Sequence, residues 1–215
     1  FKQKTAYEIR LSLVGSEMCI RDRTSTEARS RGQNFKGLLR AVGNMKGPEA
    51  MERVIAATTG DLNHGLRYGS LVSGGWYPVA WYRELHEALA RALGSNDELA
   101  KELGVRVCVE DFTGIYKVVA SMLSPETIFG QARRLMSFYF QGGTVENLKL
   151  SKGEAVLLWQ GWEGFNATLW ADVLGGSLGV LVVAGAENPT FNIVMGGRAD
   201  SAKVEFRWGP RHKAG

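Results

Sequence analysis

After Pro78 the apolar residues Tyr82, Leu85, Leu89 and Leu93 recur every three or four positions and stop at Gly94. That is the spacing of a helix with one buried stripe. Glu87 and Arg91 fall one turn apart on its polar side. Upstream, Asn34 is placed to cap a short helix carrying Phe35, Leu38, Leu39 and Val42, with Gly43 near its end. Pro48 opens a second helix carrying Met51, Val54 and Ile55. Residues 58–75 hold five glycines and no sustained period, so they read as loop. Asn96 or Asp97 starts a longer helix whose one face carries Gly104, Cys108, Phe112, Ile115, Val119 and Met122. Ser124-Pro125-Glu126 ends it and opens another, which runs to about Phe140 and stops at Gly142-Gly143.

Beyond those glycines the period changes from helical to alternating. Val145, Leu148 and Leu150, then Val156 and Leu158, flank Ser151-Lys152-Gly153-Glu154 and predict a hairpin. The apolar segment 168–184 is long for a strand and reads as a helix despite its glycines. Residues 191–194 and 203–208, parted by 196–201, predict a second hairpin. The expected fold class is therefore α+β, an N-terminal helical part followed by ββαββ.

Residues 1–23 change the charge balance and are set aside. The runs 2–9 and 12–22 resemble in-frame translations of the two constant arms of a sequencing-library adapter, with room between for one short index. The expected organisation is this non-native segment, a single domain over 24–208 and a tail over 209–215. Without the segment five Lys/Arg and three Asp/Glu go, and the formal charge falls from +4 to +2. Cys19 goes too, leaving Cys108 as a single thiol that can form no intrachain disulfide; a reducing, cytoplasmic location is expected. The longest apolar run, Val180 to Ala186, is far short of a membrane span. A charge of +2 with scattered basic residues leaves no nucleic-acid footprint.

Little in the sequence carries chemistry. No Cys-x-x-Cys or His-x-x-x-His pair, calcium loop or phosphate loop is present, so no metal site is expected. Gly175-Gly176-Ser177-Leu178-Gly179 matches a hydrolase nucleophile elbow, with Asp200 and His212 following in suitable order. This makes a small serine hydrolase using Ser177 the alternative. An elbow needs a strand before it and a helix after it, and Val180 to Val183 open a helix poorly. Small residues that let a helix approach the sheet are the preferred explanation.

Five landmarks occur in order: Trp76-Tyr77-Pro78-Val79, Glu110-Asp111-Phe112-Thr113-Gly114-Ile115-Tyr116, Leu123-Ser124-Pro125-Glu126, Tyr139-Phe140-Gln141-Gly142-Gly143 and Val204-Glu205-Phe206-Arg207-Trp208. Together they resemble a largely myxobacterial family of unknown function, related to the heme-NO-binding and vinyl-reductase-like domains and the small subunits of TRAPP tethering complexes. The resemblance implies helices packed on a four-stranded antiparallel sheet. It also implies a non-catalytic module in bacterial signalling that senses a small ligand or binds a protein. Heme-NO sensors hold iron through one histidine and clamp the propionates with Tyr-x-Ser-x-Arg. This chain has His64, His86 and His212 only, and Val72 stands where Tyr68-Gly69-Ser70 would need its arginine. His86 reads as a hydrogen-bonded or half-exposed residue beside the Tyr82 stripe. The expectation is therefore no heme and no other cofactor. Cys108, Phe112, Ile115, Trp159 and Trp170 are the candidates for an apolar pocket. An apolar small molecule, a second copy of the chain or a protein partner is its expected occupant or neighbour.

Overall fold

The computed structural model describes residues 27–112 and 123–210. A short strand β1 (Arg29–Arg31) leads into α1 (Gly32–Lys46), α2 (Pro48–Ala56) and α3 (Gly60–Arg67). Then follow β2 (Trp76–Pro78), α4 (Val79–Leu93) and α5 (Asp97–Asp111). After residue 122 come α6 (Pro125–Phe129), α7 (Ala132–Tyr139), β3 (Phe140–Gln141), β4 (Thr144–Ser151) and β5 (Glu154–Gln160). The chain closes with α8 (Ala167–Val183), β6 (Glu187–Gly196) and β7 (Ala202–Gly209).

The predicted α+β class and its ββαββ half are observed. The main sheet has the order β4-β5-β7-β6 with every neighbour antiparallel. One face of β5 and β7 is buried, through Ala155, Leu157, Trp159, Val204, Phe206 and Trp208. It meets Trp170 of α8 and Phe129 of α6, with ring centroids 6.2 Å apart for Trp159–Trp170 and 4.9 Å for Phe129–Phe206.

Several local expectations change. Asn34 is not a cap but lies inside α1, its side chain donating to Ser30 Oγ and to the Tyr139 carbonyl, both at 2.9 Å. The stretch 58–75 is not all loop, because α3 occupies part of it. The helix expected to run from Pro125 to Phe140 is two helices broken around Gly130 and Gln131. The long helix from Asp97 ends at Asp111, where Phe112 leaves helical geometry at φ −83° and ψ 70°. Val119 and Met122 lie outside the described residues. A small sheet of order β2-β1-β3, unannounced in the sequence, ties the starts of α1 and α4 to the end of α7.

The glycines of α8 serve a different neighbour from the one expected. They face α5, not the sheet. A Cβ on Gly104 would overlap the Asp172 carbonyl, one on Gly175 would overlap the Lys101 carbonyl, and one on Gly179 would lie 2.7 Å from Cys108 Cβ. The two helices touch backbone to backbone. Asn96 and Asn166 fix where each begins, accepting from Leu99 N and Leu169 N respectively.

Candidate functional site

Beside this backbone contact, the middle turns of α5 and α8 and the sheet leave a space that α7 roofs. This cavity has a volume of about 110 Å³. Gly104, Val107 and Cys108 of α5 form one side, and Asp172, Ser177 and Val180 of α8 another. Leu157 and Trp159 of β5 close the floor, and Leu135, Met136 and Tyr139 of α7 the roof. The walls are apolar with few polar groups, the composition expected of a small-molecule site.

The polar groups cluster at one end. Tyr82 of α4 donates its hydroxyl to Asp172 Oδ2 at 2.9 Å, and both side chains line the cavity. Burial, and then the Asp172 charge, push the Tyr82 phenol well above its ordinary pKa, so it stays a donor. His86, one turn along α4, is 2% exposed, and its Nε2 lies 3.7 Å from Asp172 Oδ2. That is beyond hydrogen-bond length, and both ring nitrogens are buried without a hydrogen-bond partner among the described residues. The histidine expected to be hydrogen-bonded or half-exposed is neither, because the Tyr82 ring packs edge-on against it at 5.0 Å and covers it. Trp159 Nε1 is likewise a buried donor without a partner among the described residues.

The five candidate residues fall in different places. Cys108 and Trp159 line the cavity. Trp170 packs behind Trp159 and gives its indole N–H to the Ala199 carbonyl at 2.6 Å. Phe112 packs in a small separate cluster with Ile128 and Ala184. Ile115 lies outside the described residues. Burial, followed by the charge of Asp111, drives the Cys108 thiol far up from its ordinary pKa, the reverse of what activates a nucleophile. Tyr139 is pushed up as well, first by burial.

The sequence reading missed Tyr82 and Asp172 as a pair. Asp172 carried a signal nonetheless, being a lone charge inside an apolar helix, where a buried acid needs a reason. The Ser177 alternative loses its geometry. Ser177 sits in the interior of α8 and donates to the Val173 carbonyl one turn back, at 3.0 Å. The strand-to-helix elbow is not formed, and His212 lies outside the described residues. Among the described residues no group of three or more His, Cys, Asp or Glu side chains is placed to hold a metal ion. Nor is any described helix long and apolar enough to cross a membrane.

No protein-family model matches the chain, and no curated protein matches it. Solved structures do. The Fe(II) unliganded H-NOX protein from K. algicida superposes with a TM-score of 0.61 at 12% identity, over 86% of this chain and all of that one. An H-NOX protein from S. oneidensis in the Fe(II)NO state gives 0.62 at 11%, over 84% and 99%. A structure solved to study heme redox potential through porphyrin distortion gives 0.53 at 9%, over 82% and 99%. These neighbours overturn the expectation of no cofactor. The case against heme rests on Val72 in place of the clamp arginine and on the reading of His86, and a fold shared at 9–12% identity does not depend on such local motifs. The likeness extends over nearly the whole of each neighbour, and this chain has the fold of the H-NOX proteins.

Proposed function

We propose that the chain is a non-catalytic ligand-sensing module of the heme-NO-binding type, working in bacterial signalling. The observation that carries this reading is the apolar cavity between α5, α7, α8 and β5, in the fold of proteins solved with iron-bound gases. Cys108 and Trp159 contact the ligand in this reading, and Trp170 backs Trp159. A second copy or a protein partner receives the signal in the cytoplasm.

Heme is the cofactor that the fold implies. Among the described residues His64 and His86 are the histidines, and neither lines the cavity. At about 110 Å³ the space is smaller than the engineered cavity of about 150 Å³ that admits benzene. A porphyrin does not fit these walls as they stand. Loading one would require α7 to move away from β5.

Native mass spectrometry and an absorbance scan of the purified chain test the reading. A released small apolar mass is the expected result. A Soret band would identify the ligand as heme and leave the sensing role intact. An empty chain whose melting temperature responds to no small apolar probe would overturn the proposal.

A further inference from the structure

The cavity has one feature that a purely apolar ligand leaves unanswered. Asp172 is 6% exposed, it lines the cavity, and the hydrogen bond it accepts comes from Tyr82. A carboxylate offers about four lone-pair sites, so most of its accepting capacity is unused among the described residues. Its ion-pairing neighbour among the described residues is His86, whose Nε2 at 3.7 Å is too far to donate. A buried carboxylate so poorly matched is costly to the fold unless a donor or a cation is brought to it.

The surroundings favour a cation. Tyr82 and Phe140, whose rings contact each other at 5.9 Å, and Trp159 all line the same space. Ring faces attract an ammonium, most of all away from water. The volume, below that of the cavity that admits benzene, limits the hydrocarbon part to no more than about a five-membered ring.

We infer that the cavity takes a small apolar primary amine, its ammonium bonded to Asp172 and its hydrocarbon part between α7 and β5. The ammonium supplies the donors and the charge that Asp172 lacks. This inference rests on the proposed reading of the cavity as the ligand site, and deepens it.

The test is calorimetric titration of the full chain with three matched probes: cyclopentylamine, cyclopentanol and cyclopentane. The amine is expected to bind about ten- to a hundredfold more tightly than the other two, the range of a hydrogen bond to a charged group. In Asp172→Asn that preference is expected to disappear. Tyr82→Phe, which releases Oδ2, is expected to keep or enlarge it, and serves if the Asp172 variant fails to fold. Equal binding of all three, or tighter binding of the alcohol, would overturn the amine inference while leaving a ligand cavity. Failure of all three to bind would remove the cavity reading as well.

Discussion

Cys108 is packed against Gly179 of α8, and burial holds its proton far more tightly than an exposed thiol does. In the unfolded chain the same thiol ionises from about pH 8.5. The folded pKa is the higher of the two, so this contribution is complete below pH 8.5 and is lost as pH rises. Between pH 8.5 and 9.5 stability should fall by about 1 kcal/mol through this group, the slope approaching about 1.4 kcal/mol per pH unit only above that window. Urea unfolding across that window checks it, and Cys108→Ala should flatten the dependence. Gly104 offers a test with a decisive sign. An alanine inside a free helix stabilises by up to about 1 kcal/mol, but a Cβ here would overlap the Asp172 carbonyl. Gly104→Ala is expected to destabilise by roughly 1–3 kcal/mol, as overpacked cores do, in the same unfolding assay. Tyr82→Phe strands a buried carboxylate and should cost about 1.5–3 kcal/mol.

Elements with a long, regular period were legible, and those set by their neighbours were not. The Tyr82, Leu85 and Leu89 stripe became the buried face of α4. Both hairpins sat close to their predicted strands. β1 escaped notice because three residues carry no period, and its pairing with β2 and β3 exists only in the fold. The α8 glycines were read as small for a reason, but only the structure names α5 as that reason. Strand β6 raises a separate point, for it lies at the sheet edge with Ile193, Val194 and Met195 exposed. An open apolar edge invites pairing with other chains. Met195→Lys should leave the melting temperature nearly unchanged and lower light scattering on concentration.

Across the whole molecule the site was hidden because its parts are far apart in the chain. Tyr82 and Asp172 are separated by 90 residues, and no local pattern links them. Cys108 and Trp159 line the cavity, and the apolar stripe and aromatic cluster that carry them are visible locally. A chain beginning at residue 24 is expected to melt at the same temperature and as cooperatively as the full one by differential scanning calorimetry. A broadened or lowered transition would show that residues 1–23 belong to the fold.

The backbone contact between α5 and α8 fixes one side of the cavity firmly. The roof is otherwise, since α7 is eight residues long and none of them is fully buried. Its inner residues face the cavity, while Arg133, Arg134 and Phe138 are exposed on its outside. Any guest that changes the cavity's volume must displace this two-turn helix, because the opposite wall cannot yield. Occupancy inside would thus be written on the outside as a shift in two positive charges and one aromatic ring, a change that a neighbouring protein can read without touching the guest.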